Sequence, residues 1–142
     1  MTSQLPITIL LIDNEPSFTR ALATLLRRDG CTVDITANGR LALTQLQGHR
    51  YDLFLCDMLM PELGGEAFYD VLTQQYPALC QRVIFLTGDA MHGDNRAFLE
   101  ACGQPWLEKP CSAAAVREAV QHLFDQTGVN LEPDPDEAAL WR

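Results

Sequence analysis

The chain has 142 residues, 47% of them apolar, and a formal net charge of −9. That length suits one domain around a single core, and the acidity argues against direct nucleic-acid binding, which needs clustered Lys and Arg. No apolar stretch approaches a membrane span and the N-terminus lacks the regions of a signal peptide, so a soluble, cytoplasmic protein is expected.

Strand and helix signals alternate five times. Ile7 to Asp13 is a nearly continuous apolar run, as expected of a strand buried on both faces. Pro16 to Asp29 follows as a helix with Phe18, Ala21, Leu22, Leu25 and Leu26 at helical spacing, stopped by Gly30. Cys31 to Ala37 alternates like a strand near a sheet edge. Asn38-Gly39 then turns into a short helix bearing Leu41, Ala42 and Leu46 on one side. Tyr51 to Asp57 has the most buried pattern of the strands. Gly65 to Tyr76 is helical through Phe68, Val71 and Leu72 and ends before Pro77. Arg82 to Thr87 reads as strand, Asn95 to Cys102 as helix and Trp106 to Glu108 as a short strand. Ser112 caps a last helix whose Val116, Ala119, Val120, Leu123 and Phe124 face the core.

Five such pairs without a hairpin signal imply an α/β fold, a five-stranded parallel sheet with helices on both faces. Ligands of doubly wound sheets bind beyond the carboxyl ends of the strands, where strand order switches. Four strand ends carry reactive groups there: Asp13-Asn14-Glu15, Asp57, Thr87 and Lys109-Pro110. Acid, acid, hydroxyl and amine make a phosphoryl-transfer set. Asp57 is the most informative, because it closes Leu53-Phe54-Leu55-Cys56 and opens the loop Met58-Leu59-Met60-Pro61-Glu62-Leu63-Gly64-Gly65. Taken singly, each has a bland alternative. Asp13 could equally cap the helix after it, Thr87 could satisfy backbone groups, and Trp106 could be edge packing. Glu15 reads as a helix-start residue complementing the dipole rather than as a ligand.

The five cysteines (Cys31, Cys56, Cys80, Cys102, Cys111) show no metal-ligand spacing and fit a reducing compartment. His49, His92 and His122 have no acidic partners that suggest catalysis or phosphate donation. From residue 127 onward the sequence is rich in Asp, Glu and Pro and is expected to be an acidic tail after a domain spanning residues 1–126.

In combination and in order, the Asp13 cluster, D-x-x-M-P-x-x-x-G from Asp57 to Gly65, Leu86-Thr87-Gly88 and Lys109-Pro110 resemble the receiver domain of two-component response regulators, including the chemotaxis type. The resemblance runs from about Ile7 to Phe124. It implies a flavodoxin-like sheet of order 2-1-3-4-5, with the first and third strands adjacent so that Asp13 and Asp57 meet. It also implies that Asp57 is the phosphoacceptor, that Mg²⁺ is bound by Asp13, Asp57 and the backbone carbonyl of Leu59, and that Thr87 and Lys109 hold the phosphoryl oxygens. Asn14 is a further candidate ligand. By the same resemblance Trp106 would stand at the position of the switch aromatic, and Leu59 and Asp89 would flank the path of the hydrolysing water. The protein would then be a phosphoacceptor and not an enzyme in its own right. Its partners would be a sensor histidine kinase or histidine phosphotransfer protein and a downstream protein effector, with a homodimer on phosphorylation also open.

Three positions depart from the family's habit: Asn14 replaces a second acid, Cys111 a common Phe, and Trp106 a Tyr or Phe. Asn14 favours one alternative, a degenerate receiver acting as a phosphorylation-independent interaction module. An aspartyl-phosphate phosphatase is disfavoured, because Leu59 stands where such enzymes carry a second Asp. No effector domain is expected after Phe124. The run from Arg96 to Glu100 leading into Leu107-Glu108-Lys109-Pro110 is similar to receivers of hybrid histidine kinases. A free-standing regulator and a receiver excised from a longer kinase both stay open.

Overall fold

The computed structural model describes residues 6–88 and 93–127. Its strands are β1 (Thr8–Ile12), β2 (Thr32–Thr36), β3 (Leu53–Asp57), β4 (Val83–Thr87) and β5 (Trp106–Glu108). Its helices are α1 (Pro16–Arg28), α2 (Gly39–Leu46), α3 (Gly65–Gln75), α4 (Gly93–Cys102) and α5 (Ala113–Thr127). All pairings are parallel and the strand order is β2-β1-β3-β4-β5, as the resemblance implied.

The alternation of side chains along each strand sorts the core into two layers. Ile9, Leu11, Leu53, Leu55, Ile84 and Leu86 face α1 and α5, where Leu22, Leu26, Val116 and Val120 close on them. Leu10, Ile12, Phe54, Cys56, Val83 and Phe85 face α2, α3 and α4, meeting Ala42, Leu46, Phe68, Leu72 and Leu99. Both faces of the central strands are thereby covered, which is why their sequences are unbroken apolar runs.

Local details depart from the helical-spacing argument. In α1 the buried stripe is Thr19, Leu22, Ala23 and Leu26, while Ala21 is exposed and Leu25 is 42% exposed. Leu41, placed with Ala42 and Leu46, is 47% exposed. Both shifts are small rotations of a helix about its axis, which periodicity locates only to within about one residue. A 3-10 helix spans Pro77–Arg82, where the sequence signalled only the stop of the helix before it. Asn38 caps α2 by accepting from the Leu41 amide at 2.9 Å, and Ser112 Oγ accepts from the Ala115 amide at 3.0 Å. At the amino-terminal end of the sheet, Asp52 ties two strands together. Its carboxylate accepts from the Thr8 amide at 2.8 Å and its own amide donates to the Thr8 carbonyl at 2.7 Å.

Among the described residues no helix is long and apolar enough to cross a membrane. Burial pushes the Cys56 thiol well up, in keeping with a small core residue. Asp89, His92 and the expected acidic tail from residue 128, with Trp141, lie outside the described residues.

Candidate functional site

The register builds the site. β1 and β3 are neighbours with Ile12 opposite Cys56, so Asp13 and Asp57 leave adjacent strands side by side. Asp57 pairs with Leu86, and Thr87 pairs with Glu108, which brings the end of β4 next to Asp57 and the end of β5 next to Thr87. The Lys109 amide donates to the Thr87 carbonyl at 2.9 Å, and the Met58 amide to the Leu86 carbonyl at 3.0 Å. Three parallel ladders therefore place all four expected groups at the carboxyl edge. Asp13, Asp57 and Thr87 are buried.

Lys109 joins the acids. Its Nζ lies 2.9 Å from Asp13 Oδ2 and 3.5 Å from Asp57 Oδ2, and it donates to Glu15 Oε1. The lysine side chain is only 10% exposed. Burial by itself would lower its pKa, but the hydrogen bonds with Glu15 and Asp13 and the Asp57 charge prevail and hold it above the ordinary lysine value. Burial pushes the Asp57 carboxyl up, and the Asp13 charge pushes it further. The Lys109 ammonium and the Leu59 amide, 3.4 Å from Oδ1, draw it part of the way back.

Asp13 does two things at once. Its Oδ1 accepts from the Glu15 amide at 2.9 Å, turning the chain into α1, while Oδ2 faces Lys109. One carboxylate thus both holds the turn before the helix and faces the ammonium, while the N-cap position itself falls to Glu15. Asp13 Oδ2 is buried, and the partner that faces it is the Lys109 ammonium. Local sequence points to Glu15 as a partner of the helix dipole. The residue instead occupies the N-cap position of α1 without a side-chain capping bond and turns its carboxylate to Lys109. The reason is tertiary: the ammonium arrives from β5 and outcompetes the exposed helix amides.

Carboxylate oxygens of Asp13, Glu15 and Asp57 lie within 4.8 Å of one another. Hard oxygen donors so grouped, two of them on buried residues, fit a small divalent cation. Asn14 is exposed.

The acids sit beneath a cleft of about 550 Å³ lined by Glu15, Ser17, Phe18, Asp57, Leu59, Gly88, Lys109 and Pro110. The Leu59 side chain stands at its mouth, 71% exposed. Trp106 is elsewhere. It lies in register with Phe85, is 39% exposed, and lines a separate depression with Gln104, His122 and Leu123. Phe18 belongs to the residues at helical spacing in α1. It is half-buried, packs against the α1–α5 core layer, and also presents its ring to Lys109 Nζ, 4.8 Å from the ring centroid.

A family model described as "Response regulator receiver domain" matches residues 9–121. The receiver domain of a signal transduction histidine kinase from Syntrophus aciditrophicus is 30% identical with a TM-score of 0.74, covering 90% of this chain and 96% of that one. The receiver domain of sensor histidine kinase PA1611 from Pseudomonas aeruginosa, a structure with a magnesium ion coordinated in its active-site cleft, is 27% identical with a TM-score of 0.73, covering 84% and 98%. Among curated proteins, Response regulator Rre1 of Synechocystis is 28% identical over 95% of this chain and 59% of its own length. Probable transcriptional regulatory protein TcrX of Mycobacterium tuberculosis is 28% identical over 87% and 52%. The chain thus spans little more than half the length of these curated relatives. With the strand order, the carboxyl-edge site and the family match in agreement, the chain belongs to the response regulator receiver domains, the signalling modules of two-component phosphorelays.

Proposed function

We propose that Asp57 accepts a phosphoryl group from the phosphohistidine of a sensor histidine kinase or histidine phosphotransfer protein. The observation that carries this reading is the convergence of Asp13, Glu15 and Asp57 on the single ammonium of Lys109 at the edge of the sheet. An Asp57 carboxylate oxygen attacks phosphorus in line, the P–N bond breaks, and the imidazole nitrogen keeps the electron pair. Lys109 and the Thr87 hydroxyl hold phosphoryl oxygens as charge builds on them. Asp13, Asp57, Glu15 and the Leu59 carbonyl are the groups that would hold Mg²⁺. When bound, it neutralises phosphoryl and carboxylate charge together. The raised pKa of Asp57 is consistent with a carboxylate that needs such a counter-charge to react ionised. The output is a changed surface around α4, β5 and α5 that a protein effector reads. The degenerate-receiver alternative rests on Asn14 alone, and Glu15 supplies a third carboxylate despite it.

Incubation with acetyl phosphate and Mg²⁺ should add one phosphoryl group, seen by intact mass. Asp57→Asn should add none, and chelation should abolish labelling of the wild type. Equal labelling of Asp57→Asn, or none of the wild type at saturating Mg²⁺, would refute the assignment.

Asn14→Asp should tighten Mg²⁺ binding in titration calorimetry, because one more anionic ligand raises the charge count of the site. Equal or weaker affinity would mean that Glu15 already completes it.

Trp106 gives an optical test of the switch. In a Trp141→Phe background, beryllofluoride with Mg²⁺ should change indole emission as the half-exposed ring moves, and Thr87→Ala should abolish the change. A bound but spectrally silent protein would place the switch on another surface.

A further inference from the structure

Lys109 Nζ is enclosed on more than its acidic side. Glu15, Asp13 and Asp57 take its donors, and the ring of Phe18 lies against it 4.8 Å away. Asp57 is the most distant of the three carboxylates, at 3.5 Å against 2.9 Å for Asp13. The group that must serve the reacting carboxylate is therefore held least tightly by it. Water entering beside the ammonium would draw it off Asp57 first. An aromatic face on that side does two things. It keeps water out, as any apolar group would, and its quadrupole attracts the cation, as an aliphatic group cannot.

We propose that Phe18 is a positioning residue for phosphoryl transfer: its ring face keeps the Lys109 ammonium inside the cleft beside Asp57. The geometry that makes this available is local. Pro16 starts α1 directly behind the Asp13 turn, so the first turn of the helix swings Ser17 and Phe18 over the cleft. The body of the Phe18 side chain remains anchored on the α1–α5 core layer, which fixes the ring. Among the described residues the lysine contacts three acids and one aromatic face, and it depends on that face for the direction it points.

The inference rests on the proposed role of Asp57 and is tested beside it. The rate of labelling by acetyl phosphate at saturating Mg²⁺ is measured for Phe18→Leu, Phe18→Tyr and a protein carrying pentafluorophenylalanine at position 18. Leu keeps the apolar bulk, Tyr keeps the face, and the fluorinated ring keeps the shape while inverting the quadrupole. The expected result is a rate about tenfold lower for Phe18→Leu and for the fluorinated ring, with Tyr near wild type, the size expected for a partly desolvated cation–π contact. NMR supplies a readout that mere packing would not move: the Lys109 ε-methylene protons should be shifted upfield by the ring in wild type and Phe18→Tyr and return to ordinary values in Phe18→Leu. A wild-type rate in the fluorinated protein, or equal losses in Tyr and Leu, would overturn the proposal while leaving Asp57 as acceptor intact. Failure of the wild type to label at all would instead remove the receiver chemistry and this role with it. Should Phe18→Leu not fold, the fluorinated protein and Tyr decide the matter alone.

Discussion

Lys109→Met should lose about 3 kcal/mol of stability in the absence of divalent cation, measured by urea denaturation, and label on Asp57 at a small fraction of the wild-type rate. Methionine keeps the length of the stem but removes the charge that three carboxylates share. Two of those acids are buried, and taking one partner from a buried ion pair costs roughly 3–5 kcal/mol because the remaining charge is uncompensated. The lower end applies here, since Glu15 is free to turn to solvent. The same loss should favour metal. With the competing ammonium gone, Mg²⁺ should bind the variant more tightly than the wild type and restore much of the stability, about 2.7 kcal/mol at a hundredfold excess over Kd. A variant as stable as wild type without metal would show that the cluster is not held by its charge. The pH dependence follows from the sign of the lysine shift. Lys109 binds its proton more tightly folded than unfolded, so its contribution is complete below the unfolded value of 10.5 and fades as pH rises beyond it.

Gly65→Ala should damage the site from behind. A Cβ at Gly65 would stand 2.7 Å from the Asp57 carbonyl oxygen and 3.1 Å from Met58 Cα, both main-chain atoms that cannot swing aside. The Gly65 amide also donates to the Met58 carbonyl at 3.1 Å, so α3 begins pressed against the segment that carries Asp57 to Leu59. Either α3 retreats or that segment moves. Overpacking of this kind costs on the order of 1–3 kcal/mol. Because Asp57 and the Leu59 backbone ride on the displaced segment, labelling should slow on the order of a hundredfold, the usual penalty for ångström-scale misplacement of reacting groups. Gly48→Ala is the control, since nothing lies within 4 Å of a Cβ there, and it should match wild type in both measurements. Normal labelling by Gly65→Ala would mean that the loop after β3 is compliant and that the close approach is incidental.

Much of this protein was legible in its residues. Asp13, Asp57, Thr87 and Lys109 each follow an apolar run and precede a break, and a parallel sheet has only one edge at which four such ends can gather. The same runs announced burial on both faces, which the two core layers bear out. The strand order itself came from the resemblance, not from the residues taken singly.

The misreadings share one cause. Glu15, directly before Pro16 at a helix start, carries every local sign of a dipole partner. Its true partner is Lys109, 94 residues further along the chain. Ala21 and Leu25 fit a helical stripe by spacing, yet a modest rotation of α1 sends them to solvent, while Phe18 packs against the core layer and also reaches the rim of the cleft. Local pattern encodes the period of an element and where it breaks, because both follow from backbone geometry and from burial averaged over neighbours. It does not encode the phase of a helix to within a residue, nor which distant charge will arrive beside a carboxylate. Those are decided when β1, β3, β4 and β5 pair in register and bring one ammonium, three acids and one ring within a few ångströms of each other.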